Sequence, residues 1–248
     1  EKAIADGRIG ALGFSFHDEF ESFKEIVDGY DNWALAQVQY NYMDTEYQAG
    51  QRGVQYAASK GIPIVVMEGL RGGKLAATPP GLLDLFKSAA VQRSPVGWAL
   101  HWLWDQPEIK VVLSGMSTLD QVKENMALAD EAKVGGLSLE EQNVVTQARE
   151  WLLARSPIDC TRCGYCMPCP SGVAIPDMLW FINDAVMYDA MASKAYDYKN
   201  YVDSEDNASN CTACLECEQV CPQSIEISSW MEIIHATMGE DQPYQPLG

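Results

Sequence analysis

Residues 62–74 have the sequence IPIVVMEGLRGGK, in which a short apolar run passes directly into a glycine-containing loop. Three further apolar runs lie in the first part of the chain, at residues 9–16, 35–42 and 109–113. Segments with apolar residues at helical spacing alternate with these runs. Such an alternation predicts an α/β fold with parallel strands, because each return of the chain must pass through a crossover helix.

Capping residues mark several helix boundaries in this part. Ser94-Pro95 has the pattern of an N-cap followed by proline at the first helical position, and Pro107 ends that segment. Ser138 and Glu141 have the spacing of a capping box, which predicts another helix start.

Parallel strands permit either an open doubly wound sheet or part of a (β/α)8 barrel. No Gly-x-Gly-x-x-Gly sequence follows any of the runs, which weakens the dinucleotide-binding doubly wound interpretation. A barrel often holds phosphate in the loops after its last two strands. Those loops would be residues 71–74 and 114–117 here, and the alternative is that both are ordinary surface turns.

The motifs of this part resemble those of the aldo/keto reductases. They are Gly-Phe-Ser at 13–15, Gln-Val-Gln-Tyr-Asn at 37–41, the loop at 67–74, and Ser-Gly-Met-Ser at 114–117 with Gln121 and Glu124-Asn125. The resemblance implies strands five to eight of a TIM barrel, in four βα units. It also implies nucleotide contacts from Ser15 and Gln37 to the carboxamide, from Gly69, Leu70, Arg71, Gly72, Gly73 and Lys74 to the pyrophosphate, and from Gly115, Ser117, Gln121 and Asn125 towards the adenosine end. Met67 occupies the position where many members stack a tyrosine on the nicotinamide.

The family's catalytic tetrad lies on the first four strands, which have no counterpart in these motifs. Four βα units cannot close an eight-stranded barrel. We therefore interpret the chain as the later portion of a longer protein, or as one whose first half-barrel comes from a partner chain. His17 is the local candidate for acid/base catalysis, although a histidine at a strand end is commonly a loop residue. We expect His101 to serve helix packing and His235 to lie on a helix surface.

Charge and cysteine are distributed unevenly along the chain. The net charge is −18, of which −7 falls in residues 1–155 and −11 in residues 156–248, and all eight cysteines lie in the second part. We place a domain boundary near Ser156-Pro157 on this basis. Such an acidic surface disfavours nucleic acid and membrane as partners and favours a redox partner with a basic face. The beginning of the chain carries no secretion signal, which predicts a reducing, cytoplasmic location.

The cysteines form two motifs typical of iron–sulfur ligation. Cys160, Cys163 and Cys166 precede Cys169-Pro170, and Cys211, Cys214 and Cys217 precede Cys221-Pro222, with one residue fewer before the fourth cysteine of the first motif. In this pattern three thiolates hold one cubane and the fourth cysteine, marked by proline, ligates the other cluster. We predict two 4Fe-4S clusters, one on Cys160, Cys163, Cys166 and Cys221 and one on Cys169, Cys211, Cys214 and Cys217. The alternatives are zinc sites and disulfides.

The segments around the cysteines predict an all-helical two-cluster domain, similar to a ferredoxin, at residues 156–248. Apolar residues recur at helical spacing after Pro176 and again from residue 229 to 238. We expect Val173, Ile175, Ile225 and Ile227 to shield the clusters from water.

A barrel joined to a two-cluster domain resembles the iron–sulfur branch of the aldo/keto reductases. The resemblance implies an oxidoreductase that is linked to NAD(P)H and interconverts a small-molecule carbonyl and alcohol. The alternative is a non-catalytic electron-transfer subunit whose barrel portion is a docking platform.

Overall fold

The computed structural model describes residues 1–247, which divide into two compact units. The first unit is Glu1–Glu150, and the second begins at Trp151. This division lies within the helix Leu139–Leu153, a few residues before the predicted boundary at Ser156-Pro157. No helix of the described residues is both long and apolar enough to cross a membrane.

The first unit contains a sheet of four parallel strands in the order β1-β2-β3-β4, which confirms the predicted α/β fold. The strands are β1 (Leu12–Phe16), β2 (Trp33–Gln39), β3 (Ile64–Met67) and β4 (Ile109–Val112). β1 and β4 form the two edges of this sheet. On β4, Val111 is 47% exposed, so this edge carries apolar side chains at the surface.

Seven helices of the described chain begin in the first unit. They are α1 (Lys2–Ala5), α2 (Phe20–Asp28), α3 (Gly50–Ser59), α4 (Pro80–Ser88), α5 (Pro95–Trp104), α6 (Leu119–Glu131) and α7 (Leu139–Leu153). The predicted N-cap of α5 is confirmed, since the Ser94 hydroxyl accepts a hydrogen bond from the Gly97 N–H at 3.0 Å. The capping box of Ser138 and Glu141 also forms. α4 has no counterpart in the sequence prediction.

The core of this unit lies between the sheet and its helices. Phe23 and Val27 of α2 and Val54 of α3 pack with Val38 of β2 and Val66 of β3, all of them buried. Burying such side chains contributes roughly 1.5–3 kcal/mol each. The packing fixes the helices on the sheet and therefore fixes where the strand-end loops emerge.

The second unit is helical. It contains α8 (Ile175–Met187), α9 (Met191–Tyr201), α10 (Glu216–Gln219) and α11 (Ile227–Ile234), with a 3-10 turn at Ala208–Asn210 and a π-helical turn at His235–Gly239. Met178, Ile182, Met231 and Ile234 form its buried core, and six of the cysteines pack against that core. The predicted helices at Pro176 and at residues 229–238 are present, whereas α9 was not predicted.

His235 differs from its prediction as a helix-surface residue. It is half-buried, and its Nδ1 lies 3.1 Å from the Tyr198 hydroxyl. That hydroxyl also donates a hydrogen bond to Asn207. His235 therefore joins α9 to the end of α11.

Candidate functional site

A cavity of about 470 Å³ lies at the carboxyl ends of β3 and β4. Loops at this end of parallel strands are the usual binding edge of α/β folds. The cavity is lined by the loop after β3, the loop after β4, and residues of α5 and α6, namely Glu68, Gly69, Leu70, Gly72, Gly73, Ala76, Val96, Leu113, Ser114, Gly115, Met116, Gln121, Glu124 and Asn125. The structure thus brings both predicted glycine-containing loops to one site.

The loop after β3 has a conformation that its glycines permit. Gly72 and Gly73 adopt left-handed backbone angles, with φ of 63° and 86°. A Cβ atom at Gly69 would lie 2.8 Å from Leu103 Cδ1, so a larger residue would not fit there. These positions require glycine and leave backbone, rather than side chains, facing the cavity.

Arg71 is placed differently from the prediction that it contacts phosphate. Its side chain is 4% exposed and does not line the cavity. The Nε atom donates to Asp44 at 3.2 Å to Oδ1 and 3.1 Å to Oδ2. Asp44 draws the guanidinium into the protein because a buried charge needs a paired counter-charge. Lys74 does not line the cavity either.

Asp44 is the centre of a buried polar network that the sequence prediction missed. Its Oδ2 accepts hydrogen bonds from the side-chain amides of Gln39 at 3.1 Å and Asn41 at 2.9 Å. The Asn41 amide also donates to the carbonyl of Glu68 at 2.9 Å. The network therefore joins the end of β2 to the loop after β3. The sequence signal that could have predicted it is the group of polar residues directly after a buried strand.

The loop after β4 leads into α6 through a capping box of Thr118 and Gln121. Gln121 Oε1 accepts hydrogen bonds from the backbone N–H groups of Ser117 at 2.8 Å and Thr118 at 3.1 Å. Asn125 donates to the Ser114 hydroxyl at 3.0 Å. Of the residues predicted to contact the adenosine end, Gly115, Gln121 and Asn125 line the cavity. Ser117 does not line it but is hydrogen-bonded to Gln121, which does.

The residues predicted to hold the carboxamide lie on the neighbouring strands. Ser15 of β1 and Gln37 of β2 are partners in the strand register. The Gln37 amide lies 3.6 Å from the sulfur of Met67. Neither residue lines the cavity, and His17 is an exposed residue just beyond β1.

The eight cysteines are free and lie around two small cavities in the second unit. The first cysteine site, as we name it, is lined by Cys160, Cys163, Cys166 and Cys221. The second cysteine site is lined by Cys169, Cys211, Cys214 and Cys217. These are the two sets expected for crossed ligation, in which the fourth cysteine of each motif joins the other site.

Apolar residues wall both cysteine sites, as predicted. Ile225 lines the first site, Val173 and Ile175 line the second, and Ile227 lines both. Burial raises the pKa of Cys160 and Cys166 and raises that of Cys217 to about 11. Bound iron would counter this effect, because a coordinated metal stabilises the thiolate form.

Each cysteine site offers four cysteine sulfur atoms as its donor set. A cubane presents a separate iron at each corner to each thiolate. The all-thiolate donor set therefore fits a four-iron cluster at each cysteine site.

Two family models match different parts of the chain. The model of the aldo/keto reductase family matches residues 1–134. The model of the 4Fe-4S dicluster domain matches residues 159–226. No curated protein matches the chain.

Solved structures of similar proteins include two aldo-keto reductases. AKR11C1 from Bacillus halodurans, in its holo form, has 22% identity and a TM-score of 0.49, with 59% of this chain and 52% of that chain covered. The enzyme from Klebsiella pneumoniae in complex with NADPH has 22% identity and a TM-score of 0.45, with 59% and 50% covered. The chain spans about half the length of these structures.

The family model covers more than half of the 248 residues. It matches the part of the chain that contains the parallel sheet and the cavity between its two loops. The chain therefore belongs to the aldo/keto reductase family, and it carries a 4Fe-4S dicluster domain after the reductase region.

Proposed function

We propose that the protein is an NAD(P)H-linked oxidoreductase that interconverts a small-molecule carbonyl and alcohol and exchanges electrons through two 4Fe-4S clusters. The observation that carries the proposal is the presence, in one chain, of the 470 Å³ cavity between two glycine-containing loops and of two four-cysteine sites. When bound, a nicotinamide would supply a hydride and each cluster would carry one electron.

The loops after β3 and β4 would bind the nucleotide. The backbone of Gly72 and Gly73 faces the cavity. Glycine at these positions lets a phosphate approach the backbone N–H groups closely. Gln121 and Asn125 lie on the first turns of α6, where they would contact the adenosine end. Ser15 and Gln37 would hold the carboxamide from the neighbouring strands, and His17 remains the local candidate for proton transfer.

The eight cysteines would hold the clusters in crossed fashion. Cys160, Cys163, Cys166 and Cys221 would ligate one cluster, and the other four cysteines would ligate the second. The cluster domain carries a net charge of −11 before any cluster is counted. We therefore propose a one-electron partner with a basic face, and a reducing, cytoplasmic compartment for the free thiols.

One observation favours an alternative function as an electron-transfer subunit. Two carboxylates, those of Glu68 and Glu124, line the cavity, while the Arg71 guanidinium is buried against Asp44. This arrangement opposes a phosphate unless backbone N–H groups outweigh it. The two functions differ in whether NADPH binds in the cavity.

Substitution of glycine separates them. A Cβ at Gly115 would meet nothing within 4 Å, and its φ is not left-handed, so Gly115→Val adds bulk inside the cavity without strain. Gly10→Val is the matched control, because Gly10 is equally open and lies outside the cavity. We expect NADPH affinity, measured by fluorescence titration, to fall at least about tenfold in the first variant, a loss of about 1.4 kcal/mol. Equal affinities in the two variants, or no binding at all, would favour the electron-transfer alternative.

Combined cysteine variants test the ligand sets. Replacing Cys160, Cys163, Cys166 and Cys221 by alanine leaves the second set whole, so one cluster should assemble. Replacing Cys169 instead of Cys221 breaks both sets, so no complete cluster should assemble. Iron and sulfide analysis after anaerobic reconstitution measures the difference, and the reverse result would establish uncrossed ligation.

A further inference from the structure

The two cysteine sites differ in the charged residue that stands beside each. Of the described residues that line them, Arg162 is the only charged one, and it lies at the first cysteine site. At the second cysteine site, Glu218 follows Cys217 directly in the chain and is bonded to Ser228, which lines that site. Both sites offer four thiolates. Asp159 precedes Cys160 in the chain, but it is exposed and does not line the first site, whereas Glu218 is partly buried. Arg162 and Glu218 therefore distinguish the two sites.

Arg162 is held in place at the first cysteine site. Its guanidinium is paired with Asp177 and lies 5.1 Å from the centre of the Trp180 ring. The Arg162 side chain is 25% exposed, whereas that of Asp177 is 58% exposed. Arg162 lines the first cysteine site and Asp177 does not, so the positive member of the pair is the one at the site. Burial raises the pKa of Cys160, while the backbone N–H and the charge of Arg162 oppose that rise.

Glu218 is held beside Cys217 by two hydrogen bonds from Ser228. Its Oε1 accepts hydrogen bonds from the Ser228 N–H at 2.8 Å and the Ser228 hydroxyl at 2.6 Å. Ser228 lies in the first turn of α11, so the carboxylate caps that helix. Burial, followed by the negative charge of Glu218, raises the pKa of Cys217 to about 11.

These charges act in opposite directions on a one-electron reduction. Adding an electron makes a thiolate-bound cluster more negative. A fixed cation beside the cluster therefore favours reduction, and a fixed carboxylate opposes it.

We propose that the first cysteine site has the higher reduction potential and the second the lower, and that Arg162 and Glu218 set the difference. The inference rests on the proposed function, since it requires the eight cysteines to hold two clusters. Electrons that enter the domain then come to rest on the first site, and the second site passes electrons downhill to it.

A redox titration of the reconstituted full chain, followed by electron paramagnetic resonance, tests the proposal. The wild-type protein should show two separate midpoint potentials. Arg162→Gln should lower the higher potential, and Glu218→Gln should raise the lower one. The glutamine side chain in the second variant keeps an oxygen that can accept from Ser228, so the cap of α11 is preserved.

Two control variants test whether the charge and its position cause the shifts. Arg162→Lys keeps the positive charge, so it should lower the higher midpoint potential much less than Arg162→Gln does. Glu216→Gln removes the same charge from an exposed residue of α10, so it should shift the lower potential less than Glu218→Gln does.

The outcomes separate this inference from the proposed function. Iron content well below about eight per chain, with no signal after dithionite, would refute the two-cluster function itself. Two clusters with one shared potential would overturn the inference alone. Equal shifts in the Glu216 and Glu218 variants, or shifts of both potentials by either variant, would overturn it as well.

Discussion

Breaking the buried pair of Arg71 and Asp44 should destabilise the first unit far more than breaking an exposed ion pair does. The two side chains are 4% and 3% exposed, and Asp44→Ala would leave the guanidinium buried without this partner. Removing one member of a buried pair costs about 3–5 kcal/mol. Arg71→Met should cost less, about 1–3 kcal/mol, because Asp44 keeps the amides of Gln39 and Asn41 as donors.

Urea unfolding, followed by tryptophan fluorescence, measures these losses. Asp84→Ala is the matched control, because Asp84 and Lys87 are 76% and 70% exposed and 3.5 Å apart. We expect the control to change the free energy of unfolding by no more than about 1 kcal/mol. If the loss for Asp44→Ala falls within the range of the control, the buried network does not stabilise the loop after β3.

Three further predictions concern pH, a buried hydroxyl and the source of electrons. Burial, followed by the charge of Arg93, holds the pKa of His101 below its usual 6.5. The unfolded chain therefore binds this proton more readily than the folded one, and the free energy of unfolding should fall as the pH drops below 6.5. His101→Gln should flatten that pH dependence, as measured by urea titrations. Burial raises the pKa of Tyr198 to about 12, so its hydroxyl stays a neutral donor, and Tyr198→Phe should cost about 1–2 kcal/mol in thermal unfolding. NAD(P)H alone should leave the clusters oxidised, because a hydride carries two electrons and each cluster accepts one. Full paramagnetic signal before dithionite is added would contradict this last prediction.

The sequence predicted the sheet well because its signals are local. Each strand is a short apolar run, and the caps at Ser94 and Ser138 act within one helical turn. The missed helices give weaker signals. α4 begins at consecutive prolines and buries only Leu82 and Phe86, while α9 is polar and buries only Tyr198.

Arg71 shows where local patterns end. Its position in a glycine-containing loop after a strand suggested a phosphate ligand. Its partner Asp44 lies 27 residues earlier in the chain, and a contact at that separation depends on how β2 and β3 pair. The sequence held both residues, but only the register of the strands brings them together.

The same finding changes how the cavity would hold a nucleotide. If Arg71 is a structural residue and two carboxylates line the cavity, backbone N–H groups and the N-terminus of α6 must supply the attraction for phosphate. These dipoles act over a short range, whereas attraction between full charges weakens with salt. NADPH affinity should therefore change little between low and high salt, and Arg71→Lys, which keeps the charge but loses the two-pronged contact with Asp44, should weaken binding by altering the loop. A steep loss of affinity with salt in the wild-type protein would show instead that cationic side chains bind the phosphate.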